Sequence, residues 1–441
     1  MNLAIRALLV AVVLLAFRDY ATAQVTMPPA STQGLFGSGP AADANTTLDL
    51  RVSLIEGYDS DVPRQLVSTI DPVGLQTGGF STLFDAGASY AWRRNKTGIA
   101  ANATSVLRHY ADLGSTKSVG HSAGIGLNAE TLGGTGLVVN QSAAFTPGYL
   151  FGLFPTVGEL EPGDSGMTAP DYAVSDFESY TYTTTMALSH NIGSRSTVSA
   201  TGEFQYTDRL KERERWTDLS SYLLRTQYSR NATRNTAVST EIRYRSGVFG
   251  YGGDGHSNEL ALNIGVDFSR PISATRRTSF SVRLGLSAAN YKAIPGLADF
   301  QRQRQAVGDV SFSYPFNQTW VATAGVRRGL EYVADLPTPV VSNGATASVI
   351  GLLTRRVDVV FSAAYATGES ALNRNALFFD TYTADVRLRY AVSRMFALFG
   401  EYLYYYYDFQ NGALLLAGMP PGLERNGVRA GLTLWMPALR R

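Results

Sequence analysis

Glu259–Phe268 reads ELALNIGVDF, and its alternation decides the fold. Successive side chains of an extended chain point to opposite faces. Leu260, Leu262, Ile264, Val266 and Phe268 therefore share one face, while Asn263, Gly265 and Asp267 share the other. One face is oily and the other is wet. The same alternation runs through Tyr180–Leu188, Ser279–Leu286, Val357–Tyr365 and Thr381–Tyr390.

Working outward, about eighteen such segments can be marked, their ends uncertain by a few residues. They begin near Thr47, Phe80, Thr97, Ser118, Gly136, Phe177, Ser196, Thr217 and Thr236. The second half begins near Ser257, Thr278, Arg304, Thr319, Gly344, Val357, Phe379, Phe396 and Asn426. Short connections such as Arg93–Lys96 and Thr354–Arg356 alternate with others that are mostly longer, up to Pro147–Asp176. A tilted strand of about 9–11 residues crosses a bilayer. Outer-membrane barrels join an even number of such strands by short periplasmic turns and longer surface loops. The pattern predicts an all-β chain: a transmembrane antiparallel up-and-down β-barrel of about eighteen strands, sixteen being the alternative count. A soluble sandwich would show shorter strands and no alternation of loop length.

Composition agrees. Mean hydropathy is −0.05, as expected when every second residue of a membrane strand is polar. There are 24 Tyr and no Cys, which supplies aromatics for interfacial girdles and excludes disulfides and thiolate metal sites. The net charge of +2 falls to +1 once Arg6, Arg18 and Asp19 leave with a signal segment, too neutral for a nucleic-acid partner. That segment is residues 1–23: Arg6, the apolar run Ala7–Phe17, and Ala21-Thr22-Ala23 before Gln24. Residues 24–46 lack periodicity and read as a flexible periplasmic lead-in, leaving 47–441 for the barrel. The short turns collect Arg93, Arg94, Lys96, Arg195, Arg230, Arg234, Arg270, Arg276, Arg277, Arg355, Arg356 and Arg394 without an acid, a pattern suited to an interface.

If the oily residues meet lipid, the charged ones line the lumen, because charge is costly against lipid. Arg243, Arg245, Asp267, Arg283, Asp385, Arg387 and Arg389 are the candidate pore-lining set. Asp49, Arg51, Asp85, Glu203, Arg225, Glu241, Asp309, Arg327, Asp358 and Glu401 fall on the same face. The longest connection carries Glu159, Glu161 and Asp164 without Lys or Arg. It is a candidate constriction loop facing wall arginines, or a loop displayed at the cell surface.

The last segment, Gly427–Met436 (GVRAGLTLWM), resembles the C-terminal signal read by the barrel-assembly machinery, with Arg429, Gly431, Leu434 and Met436 in the matching positions. It lacks the usual final aromatic and continues through Pro437–Arg441. Near the other end, SLIEGYDSDV at Ser53–Val62 resembles the opening of the type 2 β-barrel porin-like family. That family includes barrels associated with exopolysaccharide export. The resemblance implies an outer-membrane protein that passes small hydrophilic solutes, or an export-associated barrel with an occluded lumen.

Catalytic chemistry finds little support. His109, His121 and His256 flank predicted surface loops, and His190 follows Ser189, so that pair points to opposite faces. Gly250–Gly255 (GYGGDG) lacks the Lys-Ser/Thr and the helix of a phosphate loop. No nucleotide, haem or flavin motif appears, so no cofactor is expected. The expected partners are outer-membrane lipids, the assembly machinery, and small hydrophilic solutes or polysaccharide. An outer-membrane enzyme or adhesin acting through surface loops is the third reading.

Overall fold

The computed structural model describes residues 45–63, 76–111, 116–131, 133–147, 178–209, 219–249, 255–271, 277–292, 301–316, 319–332, 339–371, 378–410 and 422–441. The first eighteen-residue strand is β1 (Thr46–Pro63), followed by β2 (Gln76–Arg94), β3 (Thr97–Tyr110), β4 (Thr116–Glu130), β5 (Thr135–Pro147) and β6 (Glu178–Ile192). Next come β7 (Ser196–Arg209), β8 (Leu219–Asn231), β9 (Thr236–Phe249), β10 (Gly255–Pro271), β11 (Arg277–Lys292) and β12 (Gln301–Tyr314). The last six are β13 (Val321–Glu331), β14 (Val340–Thr354), β15 (Val357–Ser370), β16 (Phe378–Ala391), β17 (Phe396–Gln410) and β18 (Gly422–Arg440).

Every strand pairs antiparallel with its sequence neighbours, and β1 closes on β18 from Thr47↔Arg440 to Asp59↔Gly427. The result is a closed barrel of 18 strands. Closure gives every strand a neighbour on each side, which is what permits a sheet in a bilayer. Strands run from 11 residues in β13 to 19 in β2 and β18, enough to span the membrane. The turns at one end are tight; Asn95, with φ 54°, sits between β2 and β3, and Gly134 and Gly193 also take positive φ. The length contrast between the two ends is less strict than the sequence suggests, because connection 111–115 is no longer than turn 272–276.

The alternation in β10 is complete. Leu260, Leu262, Ile264 and Val266 are exposed, whereas Glu259, Ala261, Asn263 and Gly265 are buried. Exposed Leu284, Leu286, Val326 and Leu398 continue that apolar exterior around the wall. Two aromatic bands edge it. Near the short turns Phe312, Tyr314, Phe316 and Trp320 follow one another with centroids 6.1, 6.4 and 5.8 Å apart. Near the long connections Tyr365, Tyr382 and Tyr406 are spaced by 4.8 and 5.6 Å. An apolar band between two girdles is the outer face of a transmembrane barrel.

Candidate functional site

Contacts between strands that are not neighbours identify the inner face. Tyr110 of β3 bonds Asp59 of β1, and Arg245 of β9 donates to the Leu330 carbonyl of β13. Both contacts run over the concave side of the sheet. The register places all seven candidate pore-lining residues on that face. Arg243 pairs with Glu259 at 3.5 Å. Arg283 lies between Asp309 at 3.2 Å and Asp267 at 3.7 Å. Arg389 pairs with Asp358 in a two-point contact, and Asp385 accepts the Ser362 hydroxyl. Arg225 and Arg387 have no ion pair within the described residues. The middle of the wall is thus a lattice of opposite charges held at fixed positions.

Parts of that lattice are wet. The side chains of Arg51 and Arg327 are 49% and 57% exposed, although each is paired, with Asp85 at 3.1 Å and Glu331 at 2.8 Å. An 18-strand barrel is too wide for wall side chains to fill, so water reaches them.

The end bearing the long connections is packed differently. Asp59 and Arg425 are each 1% exposed and lie 2.7 Å apart across the β1–β18 closure. Tyr110 donates to Asp59 at 3.1 Å, and Arg429 reaches Asp59 and Glu401, each at 3.8 Å. Gly57 makes room, since a Cβ there would come within 2.9 Å of the Arg429 side chain. Beside this cluster Phe379, Tyr405, Tyr407 and Phe409 are buried, with neighbouring rings 5.5 to 5.9 Å apart. Across the lumen Tyr332 donates to Ser257 at 2.8 Å, and burial pushes its phenol up to about 12, so it remains a protonated donor.

Sequence reasoning assigns these charges to strands but does not show this end packing. In Tyr402–Phe409 (YLYYYYDF) both faces are aromatic, so composition cannot say which ring faces lipid. Glu56 is also missed. It faces outward by alternation and accepts the Thr82 hydroxyl at 2.9 and 3.0 Å. Glu159, Glu161 and Asp164 lie outside the described residues. Of the terminal signal residues, Arg429 and Gly431 face inward while Leu434 and Met436 are exposed on the lipid side. His109, His121, His190 and His256 all fall on the outward face by register. His190 hydrogen bonds Thr135 at 2.8 Å, and His121 stacks on Phe145. Among the described residues no three His, Asp or Glu side chains are grouped to hold a metal ion.

Fold and wall together define a transmembrane β-barrel of the outer-membrane type, with a polar, ion-paired lumen. No protein-family model matches the chain, and no curated protein matches it. Among solved structures it is similar to Pseudomonas aeruginosa OccK2 (OpdF) in complex with glucuronate: 10% identity, TM-score 0.43, covering 90% of this chain and 99% of that one. It is also similar to the ferric-catecholate import receptor Fiu from E. coli K12, at 10% identity and TM-score 0.42, with 89% and 82% covered. Acinetobacter baumannii OccAB4 follows at 11% identity and TM-score 0.38, with 89% and 98% covered. The class rests on strand pairing and the two faces described above, not on these likenesses.

Proposed function

We propose that the chain is exported to the outer membrane and acts there as a passive channel for small hydrophilic solutes. The observation that carries this reading is the water-exposed lattice of fixed charges on the inner wall, Arg51–Asp85 and Arg327–Glu331 above all. Charges kept inside a lipid-facing barrel can offer an aqueous path and bias its ion preference. Refolded protein beginning at Gln24, placed in planar bilayers, is expected to give discrete conductance steps.

A second reading has its own observation. The buried Asp59–Arg425–Tyr110 cluster and the inward aromatic group pack together on the inner wall near the long connections. A structural or polysaccharide-export barrel, shut unless a partner is present, would be built so. Absence of steps from folded, heat-modifiable protein would favour this reading and sink the first.

A further inference from the structure

Hydrogen bonding around the barrel thins along one line. β12 and β13 pair only from Tyr314↔Ala322 to Gly308↔Arg328. Above that point Gln301–Val307 has no partner on the β13 side among the described residues, although β11 pairs with β12 all the way to Gln301. Unpaired backbone groups beside lipid are costly. One of them, the Ala306 carbonyl, is met by Arg328 Nε at 3.1 Å, while Nη1 of the same guanidinium reaches Asn343 at 2.5 Å.

The missing strand end lies inside the wall. Alternation puts Val326, Arg328 and Leu330 on the lipid side of β13, and Val326 is indeed exposed. Leu330, however, is 1% exposed and clusters with Ala289 and Tyr291 on the lumen face of β11. Tyr332 lies over β9 and bonds Ser257 of β10, and Arg245 holds the Leu330 carbonyl. The seat requires Gly247, because a Cβ there would come within 2.5 Å of the Tyr332 ring. A second seat follows from the register. Continued beyond Gly308↔Arg328, it pairs Val307 with Gly329, Ala306 with Leu330 and Gln305 with Glu331, and returns Leu330 to the lipid face. The strand end has one observed seat, and the register allows it a second.

We propose that the β12–β13 line is a lateral portal between lumen and bilayer, gated by the end of β13, for an amphiphile with an alkyl chain and an anionic head. Its inner side is apolar, formed by Leu330, Val341, Tyr291 and Val307, where the mid-wall is charged. Its outer lip carries Arg304 and Arg328. A carboxylate or phosphate head that draws Arg328 away frees the Ala306 carbonyl to pair with β13, so the head acts on the latch itself. The portal deepens the channel reading and rests on it.

The chain has no cysteine, so introduced pairs report cleanly. In refolded Q305C/E331C, oxidation is expected to trap β13 against β12 and shut the line. Photolabelling with a diazirine-bearing decanoate, mapped by peptide mass spectrometry, should mark 301–307 in the reduced protein and lose that mark on oxidation. In G247C/Y332C, which pins the inward seat, the mark should survive oxidation. Labelling that ignores the first cross-link, or a pair of reactive thiols at 305 and 331 that never joins in folded barrels, overturns the portal. Conductance and labelling are also read together on the unsubstituted protein. Steps without labelling remove the portal alone, and labelling without steps removes the channel reading alone.

Discussion

Ile264 and Asn263 are neighbours in sequence and sit in different solvents. Ile264 is 63% exposed on the apolar exterior, whereas Asn263 is buried and donates to Glu241 at 2.9 Å. Ile264→Arg is therefore expected to lower stability by about 2–4 kcal/mol near the midplane. Arg327→Gln, on the wet inner wall, should cost far less. Urea unfolding of both variants in lipid vesicles checks the order, and equal losses would mean the strand phase is misassigned. Asn263→Arg is not a mild control, because its Oδ1 already lies within 2.0 Å of where a Cβ on Gly285 would stand. The alternation of these residues is plain in the sequence. Their packing is not, since it depends on which neighbour in space is a glycine. Asp59 makes the same point about charge. It is one acid among several in SLIEGYDSDV, yet it is the buried partner of Arg425. Asp59→Asn leaves a buried guanidinium without its counter-charge, so a loss of about 3–5 kcal/mol is expected. A combined Asp59→Leu and Arg425→Met change should cost less, because no lone charge remains. The heat-modification midpoint on gels measures both, and a larger loss in the double variant would refute the argument.

At the scale of the strand, period two carries nearly everything. Each expected start lies within about four residues of the observed one, because a strand with one lipid face and one lumen face cannot slip by one residue without turning inside out. β13 is the instructive exception. Its alternation continues correctly through Leu330, but the strand end has moved to the inner layer, and no local pattern records which of two layers a face meets. β18 shows how a broken rule is accommodated. It runs past Pro437 to Arg440 while still paired with β1. Trp435 donates towards β17 at Met395, so the missing N–H of Pro437 points beyond the end of β17 and forfeits no ladder bond. Removing residues 426–441 strips β1 and β17 of their shared partner and takes away Arg429, Gly431, Leu434 and Met436 together. Degradation or periplasmic accumulation is the expected outcome, because a bilayer cannot satisfy two open strand edges. Membrane fractionation after pulse labelling tests this. A truncated chain that inserts normally would show that closure does not depend on β18.

For the whole molecule, the question is what narrows the lumen. Barrel closure and the charged wall are both legible in the sequence; the occupancy of the lumen is not, because it depends on contacts between strands far apart in the chain. The acidic stretch with Glu159, Glu161 and Asp164 is a proposed constriction, and the wall limits how it can act. Arg243 and Arg389 already have acid partners, and Arg245 is committed to the Leu330 carbonyl. Of the wall arginines Arg243, Arg245, Arg387 and Arg389, Arg387 is the one with no ion pair or carbonyl bond within the described residues, and it is the proposed counterpart of the loop acids. Deleting Gly158–Ala169 should raise conductance if the loop enters the channel. Neutralising Glu159, Glu161 and Asp164 should then shift ion preference towards anions, and Arg387→Gln should shift it towards cations, since selectivity follows the charges at the narrowest point. A loop standing clear on the cell surface predicts unchanged conductance and a weak effect that salt screens out. Bilayer recordings at low and high salt separate the two. If conductance is the same after the deletion, the narrowing belongs to the Asp59–Arg425 cluster and the inward end of β13, and Tyr332→Ala becomes the variant that should widen the pore.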